Sequence, residues 1–166
     1  MTTVIFSHGQ EGGPWGSKIR AMAELVESLG FDLGSIDYQG IPDPTERVHK
    51  LLSETEQIND RLILIGSSMG GHVATAAADE LDAAGLFVLA PAYFMEGYED
   101  LTPDPPGMPI CIVHGWHDEV VPVENSIRYA QQCHATLHLI DSDHRLTSNI
   151  DEINDYLKTF LEQIGA

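Results

Sequence analysis

The chain is poor in basic residues: eight Lys and Arg stand against 26 Asp and Glu, a formal net charge of −18 over 166 residues. A surface field of that sign repels phosphate backbones and acidic lipid headgroups, which disfavours nucleic-acid and membrane-surface binding. Cysteine is scarce too. Cys111 and Cys133 are the only two. They cannot build a disulfide framework, form no Cys-x-x-Cys pair of a redox or zinc site, and read as small buried hydrophobes. No apolar run approaches the roughly 18 residues of a membrane span, and no basic leader precedes the apolar segment after Met1-Thr2-Thr3. What remains is a chain with 43% hydrophobic and 20% charged residues, enough apolar material for a packed core. The expectation is one domain over residues 1–166, soluble and cytoplasmic, with no room for a second large module.

Short β-rich runs alternate with helical periodicity, the pattern of a parallel sheet with helices on both faces. Thr3–Ser7, Leu33–Asp37, Arg61–Ile65, Leu86–Ala90, Ile110–His114 and Thr136–Ile140 read as strands. Between them, a helix begins near Ser17, with Ile19, Met22, Val26 and Leu29 on one face and Gly30 at its end. Asp43-Pro44-Thr45-Glu46 supplies an N-cap, an N1 proline and a capping glutamate for a helix to about Thr55. An alanine-rich helix follows Gly70-Gly71, another starts at Pro122 and ends near Cys133, and Ser148-Asn149-Ile150-Asp151 caps a terminal one. The fold class expected is a three-layer α/β/α sandwich on a reduced, mostly parallel sheet of about six strands.

Gly66-Ser67-Ser68-Met69-Gly70 falls between a strand and a helix, where a sharp turn lifts one hydroxyl above the sheet edge. Ser68 is therefore a candidate nucleophile, its flanking glycines leaving room for a strained backbone. Glycine and serine are common turn residues, so the motif alone is equally compatible with an ordinary loop.

Four landmarks give it context: Ser7-His8-Gly9, Gly66-Ser67-Ser68-Met69-Gly70, His114-Gly115-Trp116-His117-Asp118-Glu119-Val120-Val121-Pro122, and Asp143-His144. In order and placement they resemble the α/β-hydrolase superfamily, and within it the small, lid-poor esterases and serine hydrolases. The resemblance spans nearly the whole chain. It implies the order Ser, then Asp or Glu, then His, which here falls on Ser68, Asp118 and His144, with backbone amides of Met69 and Gln10 as an oxyanion hole. It also implies that the family's two leading strands are missing, since the chain opens on the strand before the oxyanion loop. About eighteen residues, Pro91 to Met108, occupy the place where relatives insert a lid, so a long-chain lipase is not expected.

Other residues of the same types fit these roles less well. His49, His72, His134 and His138 lie on helices or in a strand rather than at a strand's C-terminal end. Asp141 and Asp143 neighbour His144 along the chain, but adjacency rarely gives the facing geometry of a base and its orienter. His114-x-x-His117-Asp118 lacks the remaining ligands of a zinc site, so no metal is expected. The Gly9-to-Pro14 loop lacks the Lys and hydroxyl of a P-loop and the spacing of a dinucleotide fingerprint, so no organic cofactor is expected either. His8 reads as a loop-shaping residue. Trp15, Tyr93, Phe94 and Trp116 are candidate pocket residues, with surface or satellite-core packing as the alternative.

The function this implies is a serine hydrolase that cleaves a small carboxylic ester or thioester through an acyl-enzyme. The negative field favours neutral or cationic small-molecule esters. A serine nucleophile argues against carboxylate-dependent dehalogenases and cysteine-dependent lactone hydrolases. Thioesterase, perhydrolase or peptidase activity, or a binding protein retaining the fold without turnover, stay open alternatives. Oligomeric state is not legible.

Overall fold

Six short runs form the strands of one sheet; the inner four are buried on both faces, which requires a helical layer on each side, and the two at the edges are half-buried. In the computed structural model, which describes residues 1–98 and 101–166, the strands are β1 (Thr2–Ser7), β2 (Asp32–Ile36), β3 (Arg61–Ser67), β4 (Gly85–Leu89), β5 (Ile110–Gly115) and β6 (Thr136–Ile140). The helices are α1 (Ser17–Ser28), α2 (Pro44–Thr55), α3 (Met69–Ala78), α4 (Val123–Cys133) and α5 (Ile150–Gln163).

The strand order is β2-β1-β3-β4-β5-β6, and every pairing is parallel, so the sheet is more uniform than the mostly parallel one expected. Side chains alternate across it as the pleat requires. Val4, Phe6, Ile63, Ile65, Phe87 and Leu89 face one layer, packed with Met22 and Val26 of α1 and Leu157 and Phe160 of α5. Ile5, Leu62, Leu64, Leu86 and Val88 face the other, under Leu51 of α2, Val73 and Ala77 of α3 and Tyr129 of α4. The fold class read from the sequence is the one found.

Boundaries moved where tertiary pairing decides them. β3 runs two residues past Ile65 because Gly66 and Ser67 stay in register with Val88 and Leu89 of β4. At α2 the expected cap forms, with Asp43 Oδ2 accepting from the Glu46 amide at 3.0 Å. At α5 it does not. The chain enters through a 3₁₀ turn at Thr147–Asn149, Asn149 makes no side-chain cap bond, and its amide nitrogen instead meets Glu152 Oε2 at 3.3 Å.

The chain winds outward from β1 to β2 and then returns across β1 to β3, so the direction of winding reverses between β1 and β3. At such a reversal the two following loops diverge, leaving a crevice at the strands' C-terminal ends. The loops after β1 and β3 are the ones carrying His8-Gly9 and Ser68.

Candidate active site

Ser68 occupies the one-residue turn between β3 and α3, with φ 55° and ψ −120°. This region suits glycine and strains any residue with a Cβ. It persists because its surroundings leave no alternative. The Ser68 amide donates to the Leu89 carbonyl at 2.9 Å, and its carbonyl accepts from Gly71 and Ala92, both at 3.0 Å. The helix also sits hard against β1: a Cβ on Gly70 would lie 2.0 Å from the Ser7 carbonyl oxygen, and one on Gly66 would lie 2.5 Å from that of Gly70. Only glycine permits that approach.

The hydroxyl so presented meets His144, whose Nε2 is 3.1 Å from Ser68 Oγ. His144 Nδ1 is 2.7 Å from Asp118 Oδ2. A ring nitrogen facing a carboxylate carries the proton, so Nδ1–H donates to Asp118 and Nε2 accepts from the serine. The structure thus joins Ser68, His144 and Asp118, 76 and 26 residues apart in sequence, in one hydrogen-bonded chain.

The His144 loop is built locally. Asp143 Oδ1 accepts from the Arg145 and Leu146 amides, both at 3.1 Å, and Leu146 adopts φ 61°. Lys18 Nζ donates to the Arg145 carbonyl at 3.1 Å. A bare Gly115 lets this loop cross the end of β5, since a Cβ there would lie 2.3 Å from the Ser142 carbonyl oxygen. Asp143 therefore shapes the turn rather than facing the ring. Asp141 pairs with His117 Nε2 at 2.7 Å on the open surface.

Asp118 is held from both sides. Its Oδ1 accepts from the Val120 and Val121 amides, each at 2.8 Å, and its Oδ2 lies 3.0 Å from His114 Nε2 as well as against His144. Burial pushes the carboxyl up, but hydrogen bonds from His114, His144 and the two amides outweigh it and hold the group well below the usual carboxylate range. With His114 turned to Asp118 and His117 to Asp141, the imagined metal patch is divided. Among the described residues no group of three or more His, Cys, Asp or Glu is placed to hold a metal ion.

Opposite the histidine, a Cβ on Gly9 would touch Ser68 Cβ at 3.2 Å, so the loop after β1 lies directly over the hydroxyl. Gln10 follows Gly9, and Met69 opens α3. The adjoining His8 is buried and bridges two backbones. Its Nε2 accepts from the Tyr38 amide at 2.8 Å and its Nδ1 donates to the Gly9 carbonyl at 2.6 Å. Burial lowers its pKa, in keeping with a neutral loop-shaping ring.

Ser68, His144, Gly9 and Gln10 open on a cleft of about 880 Å³, whose charged lining residues include Glu11, Lys18, Glu119, Asp143 and Arg145. Burial lowers the Lys18 ammonium to about 8 against the opposing pull of Asp118 and Asp143.

The four aromatic pocket candidates need correction, because none of them lines this cleft. Tyr93 is fully buried, stacked on Tyr129 with its hydroxyl 2.6 Å from Thr75 Oγ1. Burial raises its pKa well above the ordinary tyrosine range, against the lowering effect of that bond. Phe94 packs beneath Arg128, 3.9 Å from its ring centre. Trp15 lines a separate groove with Arg20 and Phe31. Trp116 is 52% exposed. The stretch read as a missing lid, residues 91–108, includes residues 99 and 100, which lie outside the described residues. Among the described residues no helix is long and apolar enough to cross a membrane.

The model of a family described as an alpha/beta hydrolase domain matches residues 1–158. Among solved structures, a protein of Xanthomonas campestris pv. campestris assigned to the hydrolases of the alpha/beta superfamily is 30% identical. It covers 97% of this chain and 98% of its own, with a TM-score of 0.86. A serine hydrolase without a lid, also from Xanthomonas campestris, shares 18% identity over 98% of this chain and 81% of its own, with a TM-score of 0.83. Est1E from Butyrivibrio proteoclasticus, with ferulic acid bound, shares 20% identity over 100% and 90% of the two chains, with a TM-score of 0.84. The last two are likenesses of fold. No curated protein matches by sequence.

Proposed function

The chain belongs to the alpha/beta hydrolase domain family, and from that premise we propose that it is a serine esterase acting on a small carboxylic ester or thioester. The observation that carries this reading is the unbroken chain from Ser68 Oγ to His144 Nε2 at 3.1 Å and from His144 Nδ1 to Asp118 Oδ2 at 2.7 Å, opening on a cleft.

A serine hydroxyl is a weak nucleophile at neutral pH and needs a base within hydrogen-bond reach. In the proposed reaction His144 Nε2 takes the Ser68 proton as Oγ bonds to the ester carbonyl carbon, and the π electrons move onto the carbonyl oxygen. Asp118 keeps the imidazole in its Nδ1–H tautomer and stabilises the cation that forms. The oxyanion is received by the amides of Met69, at the positive end of α3, and of Gln10. Collapse expels the alkoxide or thiolate, which takes the proton from His144. Water activated by the same nitrogen then frees the acid and regenerates Ser68.

Glu11, Glu119 and Asp143 outnumber Lys18 and Arg145 on the cleft wall, and the whole chain carries −18. Both favour neutral or cationic esters over polyanionic ones. The test is burst kinetics with p-nitrophenyl esters of increasing acyl length, a thioester series and hydroxycinnamate esters, on wild-type and Ser68→Ala protein. A Ser68-dependent burst on short neutral esters is expected. Turnover that survives Ser68→Ala would overturn the mechanism, and equal rates on acidic and neutral series at low salt would overturn the substrate preference.

A further inference from the structure

Asp118 has a second histidine partner that the reaction above leaves unused. His114, the fifth residue of β5, is 0% exposed. Its Nε2 lies 3.0 Å from Asp118 Oδ2 and 2.9 Å from the Val121 carbonyl oxygen, and its Nδ1 lies 2.7 Å from Ser126 Oγ on α4. Nε2 faces two acceptors and no donor, so it carries the proton, and the Ser126 hydroxyl donates to Nδ1. Asp118 Oδ2 thus meets the His144 N–H and the single His114 N–H, which it shares with the Val121 carbonyl, while Oδ1 receives two amides. The preceding β5 residues Ile110 to Val113 are apolar or thiol-bearing and buried. Packing alone would be served by another aliphatic side chain at lower desolvation cost.

We propose that His114 is a positioning residue for the hydrolytic reaction, a role that rests on the reading of Asp118 given above. Two effects follow from the geometry. With the shared His114 N–H beside Oδ2 and two amides on Oδ1, the carboxylate is held facing His144. The His114 N–H also draws on the same oxygen that faces the His144 ring, which moderates how strongly Asp118 stabilises the imidazolium.

His114→Asn and His114→Gln separate these effects from simple packing. The asparagine amide sits where Nδ1 does, keeps a partner for Ser126 and falls short of Asp118. The glutamine amide reaches the Nε2 position and keeps the donor. The readouts are kcat, KM and the pH profile of kcat/KM on an aryl ester, and the low-field proton resonance of His144 Nδ1–H, which needs no turnover. The other charged or titratable groups lining the cleft with His144 are His8, Glu11, Lys18, His117, Glu119, Asp143 and Arg145, and neither variant changes them.

His114→Asn is expected to lower kcat on the order of tenfold with KM nearly unchanged. It should also move the acidic limb of the profile to higher pH and displace the low-field resonance, because Asp118 then holds one donor fewer. His114→Gln should stay within about threefold of wild type with limb and resonance in place. Wild-type behaviour of His114→Asn would overturn the proposal, as would equal impairment of both variants with limb and resonance unmoved. Should His114→Asn not fold, His114→Gln decides, since a displaced limb or resonance with the donor retained contradicts the proposal. A wild-type protein without Ser68-dependent turnover would instead overturn the esterase reading, and the resonance would still report on His114.

Discussion

Replacing Ser68 by glycine should make the protein more stable than replacing it by alanine. Both substitutions remove the hydroxyl and its bond to His144, so their difference isolates the backbone. Ser68 sits at φ 55° and ψ −120°, a conformation that costs a residue with a Cβ about 1–3 kcal/mol and glycine far less. Against this, glycine gives up about 0.5–1 kcal/mol more chain entropy on folding. The balance favours Ser68→Gly over Ser68→Ala by about 1 kcal/mol, the reverse of the usual order of these two residues. For a chain of this size that is about 2–4 °C in melting temperature. Urea unfolding midpoints at matched slopes, checked by calorimetry, measure it. A glycine variant less stable than the alanine variant would show that the turn stores no strain, and the account of why the hydroxyl is held above the sheet edge would fail with it.

Other expectations follow from the same geometry. Gly70→Ala should destabilise by about 3 kcal/mol or more, because its Cβ would meet the Ser7 carbonyl at 2.0 Å and the His8 carbonyl at 2.5 Å. Gly107→Ala, with nothing nearer than 3.9 Å, should leave the urea midpoint almost unmoved. Asp118 titrates well below its ordinary range in the folded chain, so the unfolded state takes up its proton first as pH falls below about 4, and the stabilisation, full above that, declines from there until the pH has passed the folded group's own range. The stability gap between wild type and Asp118→Asn should therefore be wide near neutral pH and shrink steadily as the pH falls below about 4, as followed by urea unfolding across pH. Burial pushes the Cys111 thiol up to about 12, so iodoacetamide at mildly alkaline pH should leave Cys111 unmodified in the folded protein and reach it only after unfolding. Peptide mass spectrometry reads the difference.

Much of the fold was legible because strands buried on both faces leave unbroken apolar runs, and the helices between them carry caps and glycine stops. The positions of Ser68, Asp118 and His144 were legible in a different way, through landmarks in a familiar order rather than through any local rule. What stayed hidden depends on tertiary register. Gly115 reads as an ordinary turn residue until the Ser142 carbonyl is seen against it. His114 has no role in the sequence once a zinc site is set aside, and gains one only when its ring is found between Asp118 and Ser126. The pocket aromatics misled because ring size says nothing about direction. Tyr93 turned inward once Thr75 offered its hydroxyl a partner, and the cleft wall was left to the glycine-rich loop after β1 and to charged residues. The end of β3 shifted for the same reason, since only its ladder with β4 keeps Gly66 and Ser67 in the strand.

The most direct test is covalent. Folded wild-type protein treated with a fluorophosphonate, digested and weighed by mass spectrometry should carry one adduct, on the peptide containing Ser68. Labelling should be absent in Ser68→Ala and slowed on the order of a thousandfold in His144→Ala. An adduct that persists in Ser68→Ala, or folded wild-type protein that takes no label, would contradict the assignment of Ser68 as the nucleophile.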